Sequence, residues 1–217
     1  MILVRVYYTK FTRKLPEDVW NKYLDLLPDF YKKKNQRFFR WQDQHAHLFG
    51  KLLLWKGLKQ YDYEGMPLDN IEIDQFGRPS VNDVLDFNIS HSEEYVFCAI
   101  GENIRLGIDV EKIKEIEFVP FKRVMSADHW NCIRSSLDPL KTFYRYWTAK
   151  ESIVKADGRG LTIPLEQVQI NGDKGCFDNR QWFIRELDID DQYSVSLASD
   201  KQDLKIILEK INFDDRG

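Results

Sequence analysis

Three carboxylates occur in two short segments: Gly107-Ile108-Asp109-Val110-Glu111-Lys112, and Trp147-Thr148-Ala149-Lys150-Glu151-Ser152 with Lys155 one helical turn further on. The first segment reads as a strand, where side chains two apart share a face, so Asp109 and Glu111 point the same way. The second reads as a helix, where residues four apart are neighbours, so Glu151 and Lys155 form one edge. Two carboxylates from a strand, one from a helix and an adjacent lysine suit Mg2+ and a phosphate-bearing substrate. The plainer alternative for Asp109 and Glu111 is an exposed strand face. Two like charges side by side, however, repel unless a cation or water separates them.

The elements that must hold these groups follow from the pattern. Residues 2–8 read as a buried strand, and Pro16-Glu17-Asp18 opens a helix with proline early and acids in its first turn. A long helix is expected from about Asn35 to Gln60. Short strands are expected at Ile71 to Ile73, Leu85 to Ile89 and Tyr95 to Ile100, with a turn at Gly77-Arg78-Pro79. The second half repeats this grammar. A strand at Leu106 to Val110 precedes helical segments near Phe118 to Val124 and Ala127 to Ser135. A helix from Leu140 to Ala156 follows, stopped by Gly158. Strands near Val168 to Ile170, Trp182 to Glu186, Tyr193 to Ala198 and Leu204 to Leu208 close the chain. The expected class is α+β, in two packed lobes of small antiparallel sheets and helices, residues 1–103 and 104–217. Ligand clefts favour such junctions.

Composition narrows the partners. The net charge of −3 gives no overall pull toward nucleic acid or an anionic membrane, so a polyanionic ligand needs a local basic cluster. Three cysteines without CxxC spacing suggest a reducing compartment and no zinc site. No apolar run approaches the ~20 residues of a membrane span, and a cytoplasmic protein is expected.

Other constellations are weaker. Lys150 falls within the apolar arc of Phe143, Tyr146, Trp147, Ile153 and Val154. Either it snorkels or pairs with a nearby acid, or this helix face looks into a charged cleft where Lys150 and Lys155 meet phosphates. Ser90 and His91 lack a GxSxG elbow, and as phosphate donors at a strand end they make better sense than as a hydrolase pair. His45 and His47 diverge by roughly 200° on a helix and cannot chelate one ion. Lys32-Lys33-Lys34 with Arg37 and Arg40 is a solvated face or a clamp for a distal phosphate. The acidic groups at Asp188 to Asp191 and Asp214-Asp215 read as solvated surface.

Taken together, Gly77-Arg78-Pro79, Phe87-Asn88-Ile89-Ser90-His91-Ser92, Gly107 to Glu111 and Trp147 to Ser152 with Lys155 resemble the 4′-phosphopantetheinyl transferases of the surfactin type. The resemblance implies two similar lobes related by a pseudo-twofold, with coenzyme A in the cleft between them. It implies that Asp109, Glu111 and Glu151 hold Mg2+ on the pyrophosphate, that Lys155 meets the pyrophosphate, and that Ser90 and His91 meet the 3′-phosphate region. Gly77, Arg78 and Pro79 would contact adenine and the 3′-phosphate, and Lys34 the distal phosphate. It implies catalysis by Glu151, Lys155 and Asp109, and an apo acyl or peptidyl carrier protein as partner; two lobes in one chain lead us to expect a monomer. The family often has an arginine where this chain has Ala46, so a weaker grip on the 3′-phosphate is expected unless Arg37, Arg40 or nearby lysines compensate. Ile113 to Val124 is either core or a docking patch for a carrier helix. Two other readings remain: a Mg2+-dependent hydrolase of the coenzyme A pyrophosphate, and a non-catalytic binding module for coenzyme A or carrier proteins.

Overall fold

The computed structural model describes residues 1–61 and 67–213; the acidic pair Asp214-Asp215 lies outside them. In the first half the elements run β1 (Ile2–Lys10), α1 (Glu17–Asp25), α2 (Asp29–Asn35) and α3 (Trp41–Lys59). These are followed by a short hairpin, β2 (Glu72–Ile73) and β3 (Pro79–Ser80), then β4 (Leu85–Ser92) and β5 (Tyr95–Glu102). The second half holds β6 (Leu106–Lys112), α4 (Ala127–Ser135), α5 (Pro139–Asp157), β7 (Gln169–Asn171), β8 (Lys174–Phe177), β9 (Arg180–Glu186), β10 (Tyr193–Ser199) and β11 (Leu204–Lys210).

The strands form two principal sheets, β11-β1-β5-β4 and β6-β10-β9-β8-β7. The fold is the mixed α+β arrangement expected, with α3 packed on the first sheet and α5 on the second. Pairing is antiparallel except at β11, which lies parallel to β1, Val4 opposite Ile206. The last strand therefore crosses back into the sheet of the first half. A parallel edge partner arriving from 200 residues away leaves no local mark in the sequence.

Period-two alternation divides the faces. Val4, Val6, Phe97, Ala99, Leu106, Ile108, Val110, Val195 and Leu197 meet in a core shared by the two sheets. Tyr7, Leu48, Leu52, Leu53 and Ile100 fill the space under α3, and Ile153, Val168, Trp182 and Ala198 the space under α5. The helix expected from 35 to 60 begins only at Trp41, and residues 29–35 form a separate helix before it. Arg40 is extended (φ −86°, ψ 134°), and Asn35 and Gln44 bond backbone carbonyls across the break. The basic run Lys32-Lys33-Lys34 thus closes α2, where cations complement the carbonyl end of the helix. Near Pro120 only a single 3-10 turn forms, not a helix from 118 to 124.

The helix carrying Glu151 is fixed at both ends. Asp138 caps its start by accepting from the Lys141 amide at 2.9 Å, with Pro139 in the first turn. Gly158 ends it at φ +95°, in left-handed space that a β-carbon disfavours. Between them α5 lies directly on β6. A β-carbon at Gly107 would collide with the Ser152 carbonyl and the Ala156 amide. Glycine at 107 is what lets this helix approach the strand bearing Asp109 and Glu111.

Candidate active site

The edges of the two sheets, β4 and β6, face one another without backbone pairing. Side chains at alternate positions of β4 close the seam by accepting from alternate amides of β6. Asp86 takes Leu106 N at 2.8 Å, Asn88 takes Ile108 N at 3.0 Å, Ser90 takes Val110 N at 3.3 Å and Ser92 takes Lys112 N at 3.1 Å. A strand edge would otherwise leave these amides unpaired and buried. This polar ladder escaped the sequence reading, although short polar residues at 86, 88, 90 and 92 were its visible signal.

The seam brings Asp109 against both lobes. Its Oδ1 accepts from Ser90 Oγ at 3.1 Å and from Lys155 Nζ at 2.6 Å, while its Oδ2 is buried with no partner. Asp109 is 3% exposed. Burial pushes its carboxyl up, and Lys155 and Ser90 partly oppose this. Glu111 accepts from Ser92 Oγ at 3.0 Å, and its carboxyl too is raised by burial and then by Asp109. Glu151 is raised by burial, then by Asp109, with Lys155 opposing. Asp109 is therefore electrostatically coupled to both Glu111 and Glu151.

An all-oxygen donor set, an orphaned carboxylate oxygen and mutual repulsion fit a hard divalent cation. Lys155 bonds Asp109 Oδ1 directly, at 2.6 Å. Among the described residues no group of three or more His, Cys, Asp or Glu stands close enough to hold an ion. Lys155 is held by Ser90 Oγ as well, at 2.9 Å.

From Glu151 and Lys155 a groove runs toward α3. One cavity of about 240 Å³ is lined by Gly77, Arg78, Pro79, Asn88, Glu151 and Lys155, among others. A second, of about 380 Å³, shares Pro79 and Asn88 and adds Lys34, Asp43, Ala46, His47, Lys51 and His91. Gly77, Pro79, Lys34 and His91, expected as ligand contacts, line these two cavities. Ser90 is a seam residue first, its hydroxyl engaged by Asp109, Lys155 and Val110. His91 stands exposed at the rim, with its imidazolium disfavoured by partial burial and by Lys155.

Two expected contacts are placed differently. Lys150 is fully buried and donates to the carbonyls of Leu165 at 2.7 Å and Val168 at 2.8 Å, so it clamps the loop after α5 and does not reach the groove. Burial drives its ammonium down to about 8. Arg78 lines the smaller cavity, but its guanidinium is drawn inward. It donates to Asp86 at 2.6 and 2.8 Å, to Leu106 O at 3.0 Å and to Lys155 O, clipping the two lobes together. The apolar arc marked Lys150 as facing inward but not what it meets there, because its partners, the Leu165 and Val168 carbonyls, come from the segment after the helix.

His45 is structural, accepting from the Leu15 amide at 3.0 Å and lying 2.9 Å from Trp41 O. Ile113, Ile116, Phe118, Phe121 and Val124 pack partly buried around Trp130 and Phe143, leaving Val119 exposed. Most of the expected docking patch is therefore core. No described helix is long and apolar enough to cross a membrane.

Comparison with known proteins bears on this geometry. The sequence model of the 4′-phosphopantetheinyl transferase superfamily matches residues 105–207, and that of the 4′-phosphopantetheinyl transferase N-terminal region matches residues 15–103. The chain is 32% identical to the 4′-phosphopantetheinyl transferase gsp of Aneurinibacillus migulanus, over 78% of this chain and 72% of that protein. It is 28% identical to the 4′-phosphopantetheinyl transferase Sfp of Bacillus subtilis (strain 168), over 77% and 76%. With the mouse L-aminoadipate-semialdehyde dehydrogenase-phosphopantetheinyl transferase it shares 29% identity over 79% of this chain and 66% of that protein.

Proposed function

The chain belongs to the 4′-phosphopantetheinyl transferase superfamily, and on that premise we propose how its inter-lobe groove carries the reaction. The enzyme moves the phosphopantetheine arm of coenzyme A onto a serine of an apo acyl or peptidyl carrier protein, with 3′,5′-ADP as the other product. The observation that best supports a site for it is the buried, half-satisfied Asp109 bonded to Lys155, which with Glu151 lines a groove whose other end is cationic.

Asp109, Glu111 and Glu151 are the residues that would hold Mg2+, supplying charge neutralisation for the pyrophosphate. Lys155 then exchanges its carboxylate partner for a phosphoryl oxygen and stabilises the charge growing on departing 3′,5′-ADP. The carrier serine oxygen bonds to the β-phosphorus as the bond to the 3′,5′-ADP oxygen breaks. The serine proton needs an acceptor, and Glu151, which lines the cavity beside Lys155, is the residue placed to take it. Pro79 and Gly77 line the passage for the nucleotide, and Lys34 and His91 receive its distal phosphate. We place the enzyme in the cytoplasm as a monomer, since one chain supplies both walls of the groove.

The test mixes the protein, coenzyme A and Mg2+ with a panel of apo carrier proteins and reads intact mass. A phosphopantetheine increment on the carrier is expected, lost on chelation of the metal. Coenzyme A cleavage without any carrier, or no increment on any carrier, would sink the reading.

A further inference from the structure

The side-chain ladder that closes the seam changes its chemistry along its length. Asp86 and Asn88 accept from the amides of Leu106 and Ile108. An acceptor suffices there, because the residue just before each amide, Arg105 or Gly107, brings no acid to be held. Ser90 and Ser92 accept from the amides of Val110 and Lys112, and here the preceding residues are Asp109 and Glu111. A hydroxyl accepts and also has one hydrogen to give. Ser90 Oγ gives it to Asp109 Oδ1 at 3.1 Å, and Ser92 Oγ to Glu111 Oε2 at 3.0 Å. Hydroxyls thus stand at the two rungs that have a carboxylate beside them.

The two serines carry unequal shares. Asp109 has a cation as well as a hydroxyl, since Lys155 donates to it and to Ser90 Oγ. Glu111 shares in no ion pair among the described residues; Ser92 and the Trp147 side chain, from α5, are what hold it. The like charge of Asp109 acts on the same carboxylate. A repelled carboxylate swings away from its neighbour unless neutral donors tie it back. The Ser92 hydroxyl is itself fixed: the Lys112 amide takes a lone pair, Glu111 takes the hydrogen, and the backbone pairs with Tyr95 in the β4–β5 hairpin.

We propose that Ser92 is a positioning residue, whose hydroxyl holds the Glu111 carboxylate on the Asp109 face of β6 in readiness for a shared divalent cation. This rests on Asp109 and Glu111 being the Mg2+ ligands. Ser92 acts through Glu111 and not on the substrate. Hydrogen bonds that orient a metal-binding side chain are commonly worth about 10- to 100-fold in metal affinity. Trp147 still donates to Glu111 when the hydroxyl is removed, so the lower end of that range applies.

The experiment measures Mn2+ affinity of the enzyme–coenzyme A complex, from the spin-resonance signal of the free ion, in wild type, Ser92→Ala, Ser92→Thr and Glu111→Gln. Ser92→Ala is expected to bind Mn2+ about tenfold more weakly, with its affinity for coenzyme A in EDTA unchanged. Ser92→Thr, which keeps the hydroxyl, should recover the Mn2+ affinity. A rung that only closes the seam would lower the melting temperature and leave Mn2+ binding alone. That result, or a loss that Ser92→Thr does not recover, overturns the proposal. Glu111→Gln tests the premise separately. Mn2+ affinity equal to wild type in that variant would strike the metal site itself and the role of Ser92 with it, whereas a loss there with none in Ser92→Ala would remove Ser92 alone.

Discussion

Two ion pairs lie along the same seam and are built to opposite ends. Arg78 and Asp86 are both nearly inaccessible, and the Asp86 carboxylate is saturated by the guanidinium and the Leu106 amide. Asp109 and Lys155 are also joined at 2.6 Å, but one carboxylate oxygen is left without a donor and the ammonium is 28% exposed. A saturated buried pair holds a structure together, whereas an unsaturated one can exchange its partner for a ligand. The seam thus uses one kind of chemistry in two ways, a saturated fastening at one end and an unsaturated carboxylate at the other.

The sharpest way to break this contrast is to remove each carboxylate in turn. Asp109→Ala should lower carrier modification by about 10³-fold or more while leaving the melting temperature near that of wild type. A variant that retains turnover would remove Asp109 from the reacting site. Arg78→Met should do the reverse, since it strands a buried carboxylate. A stability loss of about 3–5 kcal/mol in denaturant titration is expected, and a variant as stable as wild type would mean that the clip contributes nothing. Next in size is Lys150→Met, which leaves the Leu165 and Val168 carbonyls without their donor. About 1–3 kcal/mol should be lost, with the KM for coenzyme A unchanged. A raised KM with unchanged stability would place Lys150 back at the ligand.

The smallest effect is one of pH at the cationic end of the groove. Lys51 is faced by Tyr31 and Lys34 on α2, Asp43 and His47 on α3, His91 on β4 and the Cys98 thiol on β5. Its ammonium, depressed to about 8 when free, is favoured again by a bound phosphate. Binding then takes up a proton above that pH, so the preference for 3′,5′-ADP over AMP, which lacks only the 3′-phosphate, should be flat below pH 8 in calorimetric titration. It should fall above it by at most about one decade per unit. The phosphate remains a dianion over this range, its second pKa lying near about 6. A preference that rises with pH would exclude Lys51 as the titrating cation.

Much of the fold was legible in residue order. The strand alternation of Leu106, Ile108 and Val110 against Gly107, Asp109 and Glu111 placed the carboxylates on one face, and the glycine stop at 158 closed the helix that bears Glu151. Local patterns of this kind are written into a strand or helix by its own period. The break at 36–40 was hidden, because the side chains of Asn35 and Gln44 that stabilise it are ordinary helix residues elsewhere. Lys150 was misplaced, since an apolar arc shows that a helix is buried but not which carbonyls await a lysine inside.

By itself, then, the sequence determined which residues could do chemistry. Three carboxylates and Lys155 at strand and helix spacing, and four motifs in order, already pointed to a metal-assisted transfer on coenzyme A. Only the tertiary structure decided how those residues divide their labour. Whether a lysine meets a carbonyl, a carboxylate or open groove depends on partners far away in the chain. For the same reason the structure, and not the residue at Ala46, shows where the cationic charge of the groove lies: charge is set by what gathers around a cavity, and α2, α3 and β4 meet there only after folding.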